Sequence, residues 1–318
     1  MATGGIKDRA VGLLPILLEF VMLLLRVAYE CARATIKFFV PLQYKAKRMQ
    51  GEIVLITGSA AGLGDLLAVR FARLGNTVVL WDVDASGNDA IAALARKEGA
   101  KAYAYTVDMA NRDAIYAAAA EVRRDVGDVT VLVNNAGVVT GKKLLEADDN
   151  LVEKMFAVNT IAHFWTAKAF LPSMLEHNHG HVVTIASSAG LVGVNGLVDY
   201  CASKFGAVGF DQALRFELDA TGKDGIHSTC ICPYFINTGM FDGVNAKFPA
   251  LCPILEAEYA SDKIMEAILT NQKMLLMPRA LYWVCTLLLL LPVEAQFYVA
   301  DFIGISHSMS TFKGHGTK

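Results

Sequence analysis

A single α/β domain on a doubly wound parallel sheet, with apolar segments at both ends, is the fold this sequence predicts. Three observations carry that reading. From Glu52 onward, short apolar runs alternate with amphipathic helical stretches, the rhythm of strands joined by crossover helices. Where the first run ends, three glycines crowd into a turn that opens the first helix of the series. The 318 residues are enough for one large α/β domain with extensions. The chain is therefore divided into an apolar segment (1–45), a main domain (46–275) and a second apolar segment with its tail (276–318).

Composition narrows the partners. Hydrophobic residues make up 54% and charged residues 19% of the chain, a balance that leaves apolar surface to face lipid rather than water. A net charge of -2 gives no attraction for nucleic acid, and no basic stripe interleaved with aromatics is present. No nucleic-acid partner is expected. The six cysteines, Cys31, Cys201, Cys230, Cys232, Cys252 and Cys285, form no CxxC pair and have no histidine at ligand spacing, so they read as free thiols with no metal.

Residues 11–40 are rich in Leu, Val and Phe but carry Glu19, Arg26, Glu30, Arg33 and Lys37. On a helix these five charges share an arc of about 60°. One narrow polar stripe fits a helix lying in a membrane interface, whereas a spanning helix buries Glu19 near mid-bilayer. A cleaved signal peptide and a core helix are the alternatives. Lys45, Lys47 and Arg48 follow the segment, against Lys7 and Arg9 before it, which keeps the main domain on the cytosolic side. The uncharged run Ala280 to Val293 is too short to cross a bilayer and contains Pro292; it reads as a second shallow anchor or as a core or interface helix.

The first strand, Ile53 to Ile56, enters the turn Thr57-Gly-Ser-Ala-Ala-Gly-Leu-Gly64, and a helix follows over Leu66 to Leu74. In this Rossmann-type setting, glycine lets the backbone approach a pyrophosphate while the helix N-terminus attracts its charge. Gly58, Ser59, Gly62, Leu63 and Gly64 are the candidate contacts. The second strand, Thr77 to Trp81, delivers Asp82 eighteen residues after Gly64, the spacing for an acid that receives the adenosine ribose hydroxyls. Its carboxylate repels a 2′-phosphate, Asp84 adds to that charge, and no Arg or Lys stands nearby to bind one. NAD is expected over NADP. A third strand ending at Val107-Asp108-Met109 places Asp108 and Met109 at the sheet edge beside the adenine.

Further on, Asn134-Asn135-Ala136-Gly137 closes a strand over Val129 to Val133, and Asn159 lies in the next helical region. The apolar run from His181 ends in Ser187 and Ser188, and Tyr200 and Lys204 stand four residues apart. Positions i and i+4 share a helix face. Lys204 therefore meets both a cofactor ribose and the Tyr200 phenol, and its charge is expected to lower the phenol's pKa and make it a general base.

Together, TGSAAGLG at 57–64, NNAG at 134–137, Asn159, Ser187 and YCASK at 200–204 resemble the short-chain dehydrogenase/reductase family across roughly residues 50–275. The resemblance implies that Tyr200 is the acid/base, Lys204 its activator and ribose ligand, and Asn159 the holder of a relay water. Ser187, at the family's spacing from the tyrosine, positions the substrate oxygen. Asn135, Ala136, Gly137, Pro233 and Thr238 are implied at the cofactor, although Tyr234 follows Pro233 where the family has glycine. Asn135 to Lys143, His163-Phe-Trp-Thr, Ser187 to Gly196 and Thr238 to Phe241 look like the membrane-bound retinol dehydrogenase branch.

That branch implies oxidation of all-trans-retinol to retinal with NAD on the cytosolic face of the endoplasmic reticulum. Related lipid-droplet enzymes keep open a 17β-hydroxysteroid or other lipid alcohol as substrate, and a droplet surface as location. A homodimer is compatible with the resemblance. A droplet coat without turnover and an NADPH-dependent retinal reductase are the other readings; the intact catalytic set opposes the first, and Asp82 the second. The apolar stretch with Met240, Phe241 and Phe248 is expected to cover a long apolar substrate or to pack as a core loop.

Overall fold

The computed structural model describes residues 13–313, which fall into two compact units divided between Lys47 and Arg48. Lys7, Arg9 and the first two residues of the N-terminal apolar run lie outside the described residues. The first unit is helix α1 (Leu13–Phe39), then, after Pro41, the single turn α2 (Leu42–Lys45). The charged stripe of α1 holds a surface pair, Arg33 to Glu30 at 3.3 Å. Its apolar side chains, from Ile16 to Phe39, are exposed. No helix among the described residues is long and apolar enough to cross a membrane.

The second unit runs β1 (Ile53–Thr57), α3 (Leu63–Arg73), β2 (Thr77–Asp82), α4 (Ala85–Lys97), β3 (Ala102–Thr106), α5 (Arg112–Asp125) and β4 (Val131–Asn134). Then come α6 (Asp149–Phe156), α7 (Ala162–His177), β5 (Gly180–Ile185), α8 (Val198–Ala220) and β6 (Ile226–Pro233). The chain continues through β7 (Ile236–Asn237), β8 (Leu255–Glu256), α9 (Ala257–Leu269), β9 (Met274–Met277), α10 (Ala280–Leu290) and α11 (Val293–Ile303). Seven strands form one sheet in the order β3-β2-β1-β4-β5-β6-β9, and every pairing in it is parallel. Strand order reverses between β1 and β4, so the crevice at their C-terminal ends is where such sheets receive ligands.

Alternation along β1 explains the layers. Val54 and Ile56 face one core with Leu67 and Phe71 of α3, Ile91 of α4 and Ile264 of α9. Leu55 faces the other, with Ile115 of α5, Phe170 of α7 and Leu214 of α8. Strands covered on both faces read as continuous apolar runs, which is why their sequence pattern was readable. Side-chain caps set two of the helix starts: Asp84 accepts from the Gly87 amide ahead of α4, and Asn111 from the amides of Asp113 and Ala114 ahead of α5.

Several boundaries differ from the sequence reading, among them β4, which spans Val131–Asn134. Helix α3 begins at Leu63, because Gly62 at φ +76° turns the chain directly into it. Strand β3 ends at Thr106, leaving Val107 to Met109 in the following loop. Asn159 sits in a π-helical turn, Ala157–Ile161, between α6 and α7. At the C-terminal end, α10 buries Leu281, Cys285 and Leu288, the first two in a cluster with Ala207, Val208, Cys230, Cys232 and Leu276. Residues 304–313 strap back over the loop after β7: Asn245 donates its amide to Ser308 O at 3.2 Å, and Lys313 donates to Asp242 O at 3.0 Å.

Candidate active site

Two cavities meet at Tyr200. The first is a cleft at the C-terminal ends of β1 and β4, about 1150 Å³ counting its open mouth, and its wall includes Gly58, Gly62, Leu63, Asp82, Asn135, Ala136, Gly137, Tyr200 and Lys204. Its floor is the glycine turn. Gly58 has φ +64°, and a Cβ there would stand 2.8 Å from Ala136 Cα. A Cβ on Gly64 would fall 2.0 Å from Gly58 O. Both glycines are thus required by backbone contact.

The Asp82 carboxylate lies in the wall of this cleft, accepting from the Ala60 amide at 2.9 Å and the Asp84 amide at 3.0 Å. Ser59 is buried and bonds to Asn88 Oδ1 at 2.7 Å, and Gly64 is packed under the turn; neither lines the cleft. Asp108 is exposed, Met109 is buried in the core, and neither belongs to the cleft wall. Asn135 Nδ2 donates to Thr57 O at 2.9 Å and Gly58 O at 2.8 Å, so this side chain braces the turn while also facing the cleft.

Helix α8 carries Tyr200 and Lys204 into the site one turn apart, both buried. Lys204 Nζ donates to Ile185 O at 2.9 Å and stands 5.8 Å from the Tyr200 ring centroid. Burial pushes this ammonium down to about 8. Burial likewise pushes the Tyr200 phenol above its ordinary value, against the smaller, lowering effect of its hydrogen bond with Ser187. The expected lowering by Lys204 does not prevail: removing the phenolate from water sets the direction, and the opposing effect comes from Ser187.

Ser187 and Ser188 both lie beyond the end of β5, but only Ser187 lines both cavities. Its Oγ also accepts from the Ala189 amide at 3.1 Å. Asn159 uses its side chain internally: Oδ1 accepts from Val138 N at 2.8 Å, and Nδ2 donates to Val138 O and Ser203 Oγ. It clamps the strand-end loop carrying Gly137 to helix α8. Pro233 and Thr238 line the cleft. Tyr234, the departure from the expected glycine, donates its amide to Met277 O at 2.8 Å and lines both cavities. The loop needs no glycine there, since the only non-glycine residues at positive φ among those described are Asn178 and Asn271.

The second cavity is a narrow apolar chamber, about 840 Å³ counting its mouth, that starts at Ser187 and Tyr200 and passes Phe241 and Phe248 to reach Leu281, Val284 and Cys285 of α10. Phe241 meets the Tyr200 ring edge-on at 5.6 Å. Nothing charged lines this chamber except Lys247.

The short chain dehydrogenase profile matches residues 52–248. The chain is a short-chain dehydrogenase. The dehydrogenase is 51% identical over 273 residues to epidermal retinol dehydrogenase 2 of Mus musculus, spanning 86% of this chain and 88% of that one. It is 42% identical over 322 residues to retinol dehydrogenase 10-A of Danio rerio, spanning 93% and 94%. Among solved structures it is similar to a short chain dehydrogenase/reductase from Burkholderia phymatum in complex with NAD, at TM-score 0.70 and 26% identity over 79% of this chain and 96% of that one. Sequence reasoning on the dehydrogenase missed Thr57, whose Oγ1 accepts the Asn135 and Ala136 amides at 3.0 Å. It also missed Asn88, which ties Ser59 to Leu80 O and Tyr105 O. Thr57 opens the glycine motif and was open to notice; Asn88 carries no local signal.

Proposed function

We propose that this dehydrogenase oxidises long apolar alcohols, foremost all-trans-retinol to retinal, using NAD. The observation that carries the proposal is the apolar chamber opening onto Tyr200 and Ser187, together with identity to two retinol dehydrogenases. A lipophilic chain would lie in the chamber with its hydroxyl between Ser187 and Tyr200. In this reading Ser187 holds the alcohol oxygen and Tyr200 takes its proton, while the Lys204 charge favours the phenolate. Asn159 is a positioning residue, holding Val138 and α8 in register.

The glycine turn and Asp82 fit a dinucleotide: backbone approaches closely at Gly58 and Gly64, and a carboxylate stands where ribose hydroxyls need an acceptor. Asp82 opposes a 2′-phosphate, which favours NAD. When bound, NAD supplies the hydride acceptor. Gly62, Leu63, Ala136, Gly137, Pro233 and Thr238 would border it, and Lys204 would meet its ribose.

We also assign the dehydrogenase to a membrane surface, on the cytosolic face of the endoplasmic reticulum or on a lipid droplet. The apolar exposure along α1 and the outer faces of α10 and α11 support this assignment. The test is an activity panel of retinol, retinal and steroids with NAD and NADP on membranes holding the full chain. Retinol with NAD should be the best pair, and Tyr200→Phe should lower its turnover by at least about 10²-fold while NAD binding persists. Preference for a steroid or for NADP would overturn the substrate or cofactor reading, and near-normal turnover by Tyr200→Phe would overturn the acid/base assignment.

A further inference from the structure

Helices α10 and α11 present two unlike faces. Inward, Leu281, Val284 and Cys285 of α10 and Ile303 at the end of α11 line the apolar chamber. Outward, Trp283 and Leu289 are each 81% exposed and Tyr298 is 80% exposed, with Leu290 and Phe297 beside them in the same condition. Helix α10 contains no charged residue, and α11 contains only Glu294 and Asp301. At 11 residues each, the helices span about 16 Å, too short to cross a bilayer. Their Trp, Tyr, Phe and Leu outer surface is the composition of helices that rest at a lipid interface.

Lys247 and Phe248, both in the chamber wall, tie the loop after β7 to α11. Lys247 Nζ donates to Asp301 O at 3.2 Å and stands 5.8 Å from the ring centroids of both Phe248 and Phe302. Those two rings are 5.3 Å apart. One ammonium therefore joins the loop after β7 to α11 by a cation–ring contact with Phe302 and a hydrogen bond to Asp301 O, while its contact with Phe248 lies within the loop. Gly304 permits this: a Cβ there would stand 2.6 Å from Lys247 Cβ.

We infer that the α10–α11 pair is the doorway by which a lipophilic alcohol passes from a lipid surface into the chamber, with Lys247 as its latch. The inference rests on the oxidation of apolar alcohols proposed above. Lipid is the occupant of the outer face because the same pair lines the chamber within, so the phase that covers the helices is also the reservoir of the substrate. A substrate that entered this way would reach Tyr200 without crossing water.

The test uses the full chain on phosphatidylcholine vesicles carrying all-trans-retinol, with a short water-soluble allylic alcohol as comparator. Val284→Trp, which fills the chamber beneath α10, should weaken retinol binding, read by fluorescence, and its kcat/KM by about tenfold or more. Turnover of the short alcohol should fall by a smaller factor than that of retinol. Lys247→Met, which keeps the stem and cannot misfold by overpacking, should speed retinol dissociation by roughly tenfold. Leu290→Glu with Phe297→Glu should slow retinol delivered from vesicles but not retinol delivered on a soluble carrier.

Unchanged retinol binding in Val284→Trp, or unchanged dissociation in Lys247→Met, would overturn the doorway. So would a glutamate pair that dissolves a dimer and slows both deliveries alike, which marks the face as covered by a second copy. If wild type binds retinol, and Val284→Trp abolishes that binding, but neither turns it over, the doorway stands and the oxidation reading falls.

Discussion

His163 is a buried titratable group that the proposed chemistry leaves aside. It is wholly enclosed, neither ring nitrogen has a hydrogen-bond partner among the described residues, and its ring lies 5.7 Å from that of Phe210. Burial, and after it the Lys204 charge, push its pKa from 6.5 to about 3. The unfolded chain thus takes up a proton that the folded chain refuses. Stability is fully present above pH 6.5 and is lost as pH falls toward 3. His163→Leu should flatten this part of the melting-temperature profile and raise the melting temperature in acid, checked by thermal unfolding across that range; an unchanged slope would exclude His163 as the source. The identities of Tyr200, Lys204 and Asp82 could be read because each belongs to a short motif. The sign of the Tyr200 shift could not, because it depends on how deeply the fold buries the phenol.

Among the elements, the strand–turn–helix of β1 and α3 was the most legible, since its requirements are local. Gly64 stands against the carbonyl of Gly58, so a side chain there meets backbone that cannot step aside. Gly64→Ala should cost about 1–3 kcal/mol of stability and weaken NAD binding, measured by thermal unfolding and by cofactor titration. Gly193→Ala is the control, since a Cβ there meets nothing within 4 Å and both measurements should be unmoved. The apolar chamber was less legible. Phe241 and Phe248 could be picked out as apolar residues after Thr238, but their wall is shared by Tyr234 at the end of β6, Leu281 of α10 and Ile305 of the C-terminal strap, which only the fold brings together. Nothing in the spacing of residues 276–318 announces the strap's return, and the helix between Ala280 and Leu290 serves the core on one face while staying exposed on the other.

Over the whole molecule, the sheet and both its cores lie within the second unit. Deleting residues 1–47 should therefore leave the sheet folded by circular dichroism and greatly reduce sedimentation with vesicles, without abolishing it, since the α10–α11 surface remains. Complete release would assign all attachment to the first unit, and unchanged binding would assign it all to the second. The parallel order of the main sheet followed from the alternation of runs in the sequence, while the division at Lys47 and Arg48 is a matter of contacts, which composition reports only as a change in charge density. Finally, the cleft and the chamber share a wall of four side chains, Ser187, Tyr200, Tyr234 and Phe241, and little else. A water-borne dinucleotide and an oil-borne alcohol would then arrive by separate routes and meet only at the reacting atoms. Neither would block the other's path.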